Sequence, residues 1–351
     1  MSKLNARQQK ILSFFIQNDE LQSSAVHKLA TQAGEQYSLV TIKRVLSEMT
    51  RNGFLTVKGA GRSLAYRASV LGRLFFDVSA HDYTSIEPDK RFGLRNYNFE
   101  FLPSVPTTVF SPDELRIMDE ATHVYNKKSA GLSATLQKKE LERLVIELSW
   151  KSSKIEGNTY TLLDTEKLIL ENKEKAGHDK KEARMILNHK DAFMFIRGHA
   201  SQFKTLTRAN MEKVHSILTK GLGVGGGLRK KTVGVTGSIY RPLDNIHQVG
   251  EAVGTLSKAV ARAKTPYDKS LIALAGISYI QPFEDGNKRT ARLMANALLV
   301  AHGRAPLSYR SVDESVYREA TLVFYELNSL VPIKKIFIEQ YDFAARNYAV
   351  K

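Results

Sequence analysis

Ser278-Tyr279-Ile280-Gln281-Pro282-Phe283-Glu284-Asp285-Gly286-Asn287-Lys288-Arg289-Thr290-Ala291-Arg292 is the stretch on which the reading of this chain turns. An apolar helix over 271–280 runs into a loop containing Pro282, and a second helix starts around 287–289. A loop with Gly286 that feeds a helix N-terminus presents unpaired backbone N–H groups and the positive end of the helix dipole. Such a place favours a bound phosphate. Arg289 and Arg292, three apart on one face, can add charge-assisted bonds to a polyphosphate. Asp285 offers hard oxygen, suited to a magnesium ion bridging phosphates. An isolated Asp-Gly-Asn would serve an ordinary loop–helix junction as readily, so the surroundings decide.

Outward from this stretch the pattern is helical. Ser111-Pro112-Asp113-Glu114 is a helix start, and 136–155 is amphipathic through Leu141, Leu144, Val145 and Leu148. Further helices are expected over 181–196, 208–218, 245–263, 268–280, 289–302, 312–327 and 333–348. One β-like stretch, 231–240, is rich in Val, Gly and Thr. The region 71–110 mixes aromatics with Pro88 and Pro103 and shows no sustained period, so it reads as a linker or variable region.

Residues 1–70 have their own pattern. Ile11, Leu12, Phe14 and Phe15 recur at helical spacing; Ser23 or Ser24 can cap a short second helix. Ser38 caps a third, with Ile42, Val45, Leu46 and Met49 on one face. Two strand-like runs, 54–57 and 64–67, flank Gly59-Ala60-Gly61. Helix, helix-turn-helix and hairpin is the order of a winged helix, whose third helix enters the major groove while the hairpin touches the backbone. Thr41, Lys43, Arg44 and Arg51 of that helix, with Lys58 and Arg62 of the hairpin, form the expected DNA-binding set. The alternative is a winged helix used for protein contacts.

Composition agrees with a polyanion partner. Across 351 residues, 52 basic and 36 acidic side chains leave a formal charge of +16, which favours polyanions through steering and counterion release. There is no cysteine, which excludes disulfides and thiolate metal sites. No apolar run is long enough to span a bilayer, and the start of the chain lacks an apolar signal region. A cytoplasmic protein without membrane contact is the plain expectation.

The segment 281–292 resembles the Fic family signature His-Pro-Phe-x-Asp/Glu-Gly-Asn-Gly-Arg-x-x-Arg in all but two of its fixed positions. Fic proteins transfer part of a nucleotide, most often AMP from ATP, onto a hydroxyl of a target protein. The resemblance implies that Asp285 holds Mg2+, that Gly286, Asn287 and Lys288 form an anion nest, and that Arg289 and Arg292 grip distal phosphates. Ser152-Ser153-Lys154-Ile155-Glu156-Gly157 fits the family's inhibitory motif. That implies an inhibitory helix at about 136–157, with Ser152, Glu156 and Gly157 in the motif and Glu156 paired to Arg292. Gly227-Leu228-Arg229 and the following residues look like the family's flap, a hairpin that pairs with an extended target segment through Val235, Thr236, Gly237 and Tyr240.

Two departures qualify this resemblance. Gln281 stands where the family keeps its general-base histidine, and a neutral amide cannot take a proton near pH 7; losing a positioned base typically costs ~10²–10⁴ in rate. Lys288 replaces a glycine and resembles the Doc branch, whose members transfer the γ-phosphate. The expected architecture is mainly α: a winged helix-turn-helix domain (1–70), a linker (71–110), then an all-α Fic bundle (111–351) with a small β-hairpin flap. Two functional readings stand. One is a divergent AMP or phosphate transferase acting from ATP on a protein or on itself, restrained by Glu156. The other is an inactive nucleotide sensor coupled to a DNA-binding regulator. A homodimer is compatible with both. His189, His247 and Trp150 read as structural rather than functional groups.

Overall fold

The computed structural model describes residues 4–350; the side chain of Arg62, one of the expected DNA contacts, lies outside the described residues. The chain divides into two compact units. The first comprises residues 1–106, 235–240 and 319–333, and the second 107–234, 241–318 and 334–351.

The first unit opens with α1 (Ala6–Gln17), α2 (Ser23–Gln32) and α3 (Leu39–Arg51), followed by β1 (Leu55–Lys58) and β2 (Ala65–Ala68). Asn5 and Gln8 close a capping box on α1, and the Ser38 hydroxyl accepts from Thr41 N–H to cap α3. The expected serine cap on α2 is corrected: Gln22 is the N-cap residue and makes no side-chain cap bond, so Ser23 and Ser24 lie inside the helix. The strands pair antiparallel with Leu55 opposite Ala68 and Lys58 opposite Ala65, and Leu21 adds a bridge to Tyr66. Ile11, Leu12, Phe15, Val26, Ala30, Ile42, Leu46 and Met49 are buried together, each large side chain contributing roughly 1.5–3 kcal/mol. Short helices α4 (Val70–Leu74), α5 (Ala80–Ser85) and α6 (Phe101–Ser104) follow, and Phe76 and Tyr83 join the same core with Val323 and Leu327.

The second unit is helical: α7 (Pro112–Ala130), α8 (Ala134–Ile155), α9 (Leu162–Glu171), α10 (Lys180–Gly198), α11 (Arg208–Leu218), α12 (Ile246–Arg262), α13 (Pro266–Ile280) and α14 (Asn287–Ala301). Helix α15 (Glu314–Leu327) and α16 (Val331–Asn347) complete the chain. In helix α9, Thr161 and Asp164 form a starting capping box, and Asn172, in the left-handed region, ends the helix. From Leu271 onward α13 is apolar around its circumference and buried, which suits a central position rather than a surface one. No helix among the described residues is long and apolar enough to cross a membrane.

The expected β-hairpin flap does not form. Residues 231–240 carry a turn, with Ser238 N–H bonded to Val235 O, but no strand, and β1–β2 is the one sheet among the described residues. The composition is β-like, yet no partner strand completes a ladder. Its polar groups bond instead to side chains: Gly237 O accepts from Arg91, and Ile239 N–H donates to Glu326.

Candidate functional site

The motif loop is built by the junction of α13 and α14. Gln281 ends α13 in the left-handed region (φ 53, ψ 59), its N–H bonded to Ile277 O. Pro282 then prevents the helix from continuing. Asn287 closes the loop from both sides: its amide oxygen accepts from Phe283 N–H and its amide nitrogen donates to Phe283 O, each at 2.8 Å. Gly286 is the N-cap of α14 with φ 78, where a Cβ would stand 3.3 Å from Thr219 Cγ2 and 3.6 Å from Arg289 Nη2. The first intrahelical bond is Thr290 N–H to Gly286 O, so the N–H groups of Asn287, Lys288 and Arg289 precede the ladder.

Around this junction the expected site residues converge. Arg292 is fully buried, with Nη2 2.8 Å from Glu156 Oε1. Its Nε donates to Ser152 Oγ (2.9 Å) and its Nη2 to Ser152 O (2.8 Å). The guanidinium also lies 5.5 Å over the Tyr317 ring. Glu156 is the C-cap residue of α8, and Gly157 follows with φ 96, which a side chain would strain. Its second oxygen is 3.7 Å from Lys288 Nζ. Glu156 therefore links α8 to two cations on the first turns of α14. Burial alone would raise its pKa, but Arg292 and then Lys288 outweigh that and hold the carboxyl below its usual range. Burial likewise works against the charge on Arg292, and Glu156 more than restores it.

Arg289, nearly as buried, sets Nη2 3.0 Å from Asp285 Oδ2. Burial lowers its pKa, and Asp285 and Glu156 offset this only in part. Nη1 of Arg289 and Nη1 of Arg292 are buried with no hydrogen-bond partner among the described residues. Buried guanidinium donors without acceptors suit an anion. Asp285 is 66% exposed, with one oxygen engaged by Arg289. No group of three His, Asp or Glu side chains able to hold a metal occurs among the described residues. That donor set fits a magnesium ion carried on one carboxylate and on substrate phosphates, rather than a resident protein cage.

Several residues here lay beyond sequence reasoning. His215 stacks on Phe283 (centroids 3.7 Å apart, 8° between planes), and its Nε2 is 2.9 Å from Asp285 O. A carbonyl opposite Nε2 assigns the proton there and leaves Nδ1 bare. Burial, with help from Arg289, keeps this ring below its ordinary pKa despite the Asp285 carbonyl, so it is neutral at pH 7. His189 is fully buried; burial first, then Arg292 and Arg289, push its pKa well down. Arg229 braces the loop: its Nε donates to Gln281 O (2.6 Å), its N–H to Pro282 O (2.9 Å), and its guanidinium also to Lys231 O and Leu243 O. The Gln281 amide, in turn, donates to Ser278 O at 2.6 Å, back onto its own helix end.

The remaining expected residues lie in the first unit. Lys43, Arg44, Arg51 and Lys58 are exposed. Lys58 is paired with Glu20 at 3.1 Å, and Thr41 shares a hydroxyl contact with Ser38 at 3.0 Å. Thr236 and Gly237 are exposed and Val235 partly so, whereas Tyr240 is buried, its ring 5.7 Å from that of Tyr325.

Residues 205–299, which contain the loop and most of α14, match the Fic/DOC family. A probable protein adenylyltransferase of Aquifex aeolicus is 26% identical over 144 residues, 40% of this chain and 43% of that protein. The chain thus matches less than half the length of that relative. Among solved structures, a Fic family protein from Desulfovibrio desulfuricans superposes with a TM-score of 0.57 at 20% identity, over 69% of this chain and 75% of that one. Fic-1 from C. elegans gives 0.55 at 17% identity, over 67% and 71%. Residues 205–299 thus resemble the Fic/DOC family, and the mainly helical fold is shared with these structures.

Proposed function

We propose that this protein binds ATP with magnesium at the 281–292 loop and is a Fic-type transferase held in check by Glu156, passing AMP or phosphate slowly to a protein hydroxyl. The observation that carries the reading is the buried Glu156–Arg292 pair at 2.8 Å, reinforced by Lys288 at 3.7 Å. A carboxylate held by cations at a helix N-terminus occupies the place that a phosphate would take. In this reading Glu156 moves aside when the nucleotide engages Arg292. Lys288, Arg289 and Arg292 then bind phosphates with the first N–H groups of α14. Asn287, with its amide committed to Phe283, supports the loop rather than reaching the ligand. Asp285 is the residue that would hold magnesium, whose charge would ease departure of pyrophosphate in AMP transfer, or of ADP in phosphate transfer.

Gln281 fits no role as general base, since its amide has no useful basicity. A glutamine can still orient a hydroxyl or a water. Its bond to Ser278 O favours a second reading, in which transfer is absent and the Fic domain senses nucleotide for the N-terminal unit. In both readings residues 1–70 act as a winged helix that takes DNA through Lys43, Arg44 and Arg51 of α3. The exposure of these side chains and the excess positive charge support that assignment.

Intact-mass spectrometry of Glu156→Gly with ATP and magnesium, beside the Glu156→Gly, Gln281→His double variant, separates the readings. The transferase reading expects a slow mass gain in the single variant and a faster one in the double. Gain only with histidine present supports the sensor. If neither gains mass and neither binds ATP, the nucleotide site itself is wrong.

A further inference from the structure

A second buried charge cluster lies in the first unit. Glu326 of α15 is fully buried. Its carboxylate accepts from Ser238 Oγ at 2.7 Å, Tyr83 Oη at 2.8 Å and Ile239 N–H at 3.3 Å, and Arg91 Nη1 lies 3.4 Å away. Arg91, also buried, donates to Gly237 O at 2.9 Å and to Thr84 O and Ile86 O at 2.7 Å each. The main chain is drawn in as well. Leu94 N–H bonds to Glu326 O at 2.6 Å, and a Cβ on Gly93 (φ 143) would come within 2.6 Å of that same oxygen. Burial, then the Glu326 charge, keeps the Tyr83 phenol far above its usual pKa, so it remains a donor.

The economy of this cluster points to what it is for. Two buried charges are costly unless paired and fully hydrogen-bonded, and an apolar pair of equal volume is often as stable or more so. Packing alone therefore gives no reason for a glutamate and an arginine here. Directed bonds do. Glu326 and Arg91 between them engage Gly237 O, the Ser238 hydroxyl and Ile239 N–H, which fixes the course of a segment that has no strand partner. The same segment, 235–240, groups with the first unit, while 107–234 on one side and 241–318 on the other group with the second.

We infer that Glu326 and Arg91 are positioning residues for the 235–240 segment, holding it in the N-terminal unit with its 236–237 turn exposed as an edge for an extended peptide. That the edge docks a peptide rests on the transferase reading above; that the cluster holds it in place does not. Arg91 and Tyr83 lie outside the 205–299 family match, so the order of this edge depends on a part of the chain that the matched stretch does not include.

Amide hydrogen exchange on the full chain tests this. Ser238→Ala removes one bond to the buried carboxylate, together with the acceptor of Tyr240 N–H, at a partly exposed position, so the fold survives. Exchange at 237–239 should rise about tenfold, the size expected for one hydrogen bond to a charged acceptor. Ser238→Thr, which keeps the hydroxyl, should exchange like the wild type, and Arg91→Lys, which keeps charge but loses the fork, should exchange faster at the same amides. In all three, exchange at 281–292 and ATP affinity should be unchanged. Unaltered exchange in Ser238→Ala, or threonine behaving like alanine, overturns the inference. A failure of nucleotide transfer would leave the exchange result standing, so the two readings fail separately.

Discussion

Replacing Glu156 by glutamine should make the protein less stable and a better ATP binder. The two effects have opposite signs and one structural origin. Arg292 is fully buried and Glu156 is its counter-charge at 2.8 Å, with Lys288 sharing the other oxygen at 3.7 Å. Breaking a buried pair by removing one partner costs about 3–5 kcal/mol. Glu156 is 20% exposed and Arg292 keeps its two bonds to Ser152, so the cost falls to or just below the lower end of that range, about 2–3 kcal/mol. For a unit of this size that lowers Tm by roughly 4–12 °C. Binding moves the other way. In the wild type a phosphate must displace a charge-assisted bond of about 1.5–3 kcal/mol, so its removal should tighten ATP affinity roughly 10- to 150-fold. Thermal melts with and without ATP and magnesium, joined to calorimetric titration, read both quantities. The variant should melt lower alone and gain more from nucleotide. A lower Tm with unchanged affinity would mean that Glu156 is a structural ion pair and nothing more. Unchanged Tm would mean that the pair contributes nothing in solution.

Three further outcomes are expected. Arg289→Ala removes the buried partner of Asp285 and an unpaired donor beside the helix N-terminus, and should weaken ATP binding roughly 100-fold in a titration; retained tight binding refutes the site. Changing Lys43 and Arg44 together to Ala should weaken association with duplex DNA and flatten its salt dependence by roughly two contacts in a gel-shift series; an unchanged slope removes α3 as the DNA-facing helix. Stability should also fall with acid in two stages. His189 and His215 are held below their ordinary value of 6.5, so below that pH the unfolded chain takes up protons that the folded one refuses. Each can remove up to about 1.4 kcal/mol per pH unit until its folded pKa is reached. The Glu156 contribution is full above its ordinary value of 4.5 and is lost as pH falls from there through its folded pKa. Denaturant midpoints measured from neutral pH downward, with His215→Gln as comparison, check the first stage: the variant should show the shallower slope.

Much of the candidate site was legible before any fold was known, because its determinants are local. Pro282, after the end of an apolar run, bars its helix from continuing, Gly286 takes a left-handed cap at little cost, and a helix that follows must begin with unpaired N–H groups. The amphipathic runs marked most helices for the same reason, and the spacing of Arg289 and Arg292 put both on one face. Helix α9 is only ten residues long, and the Thr161–Asp164 capping box flanking Leu162 and Leu163 was the signal that the reading passed over.

Residue types also made 231–240 look β-like, which the family resemblance turned into an expected hairpin flap, and there local reading failed. Strand composition becomes a strand only when a partner supplies a ladder, and here a carboxylate and a guanidinium supply the bonds instead. Those two residues, Arg91 and Glu326, are 235 positions apart in the chain. The same distance problem hid Lys288 as the second arm of the Glu156 contact, His215 behind Phe283, and Arg229 under Gln281. The sequence by itself determined most of the helices, the break between α13 and α14 and the residue types at their junction, since dihedral preferences and side-chain types act within a few residues. Tertiary structure alone decided which charges are buried and whom they face, because burial and pairing belong to the packed chain and not to any stretch of it.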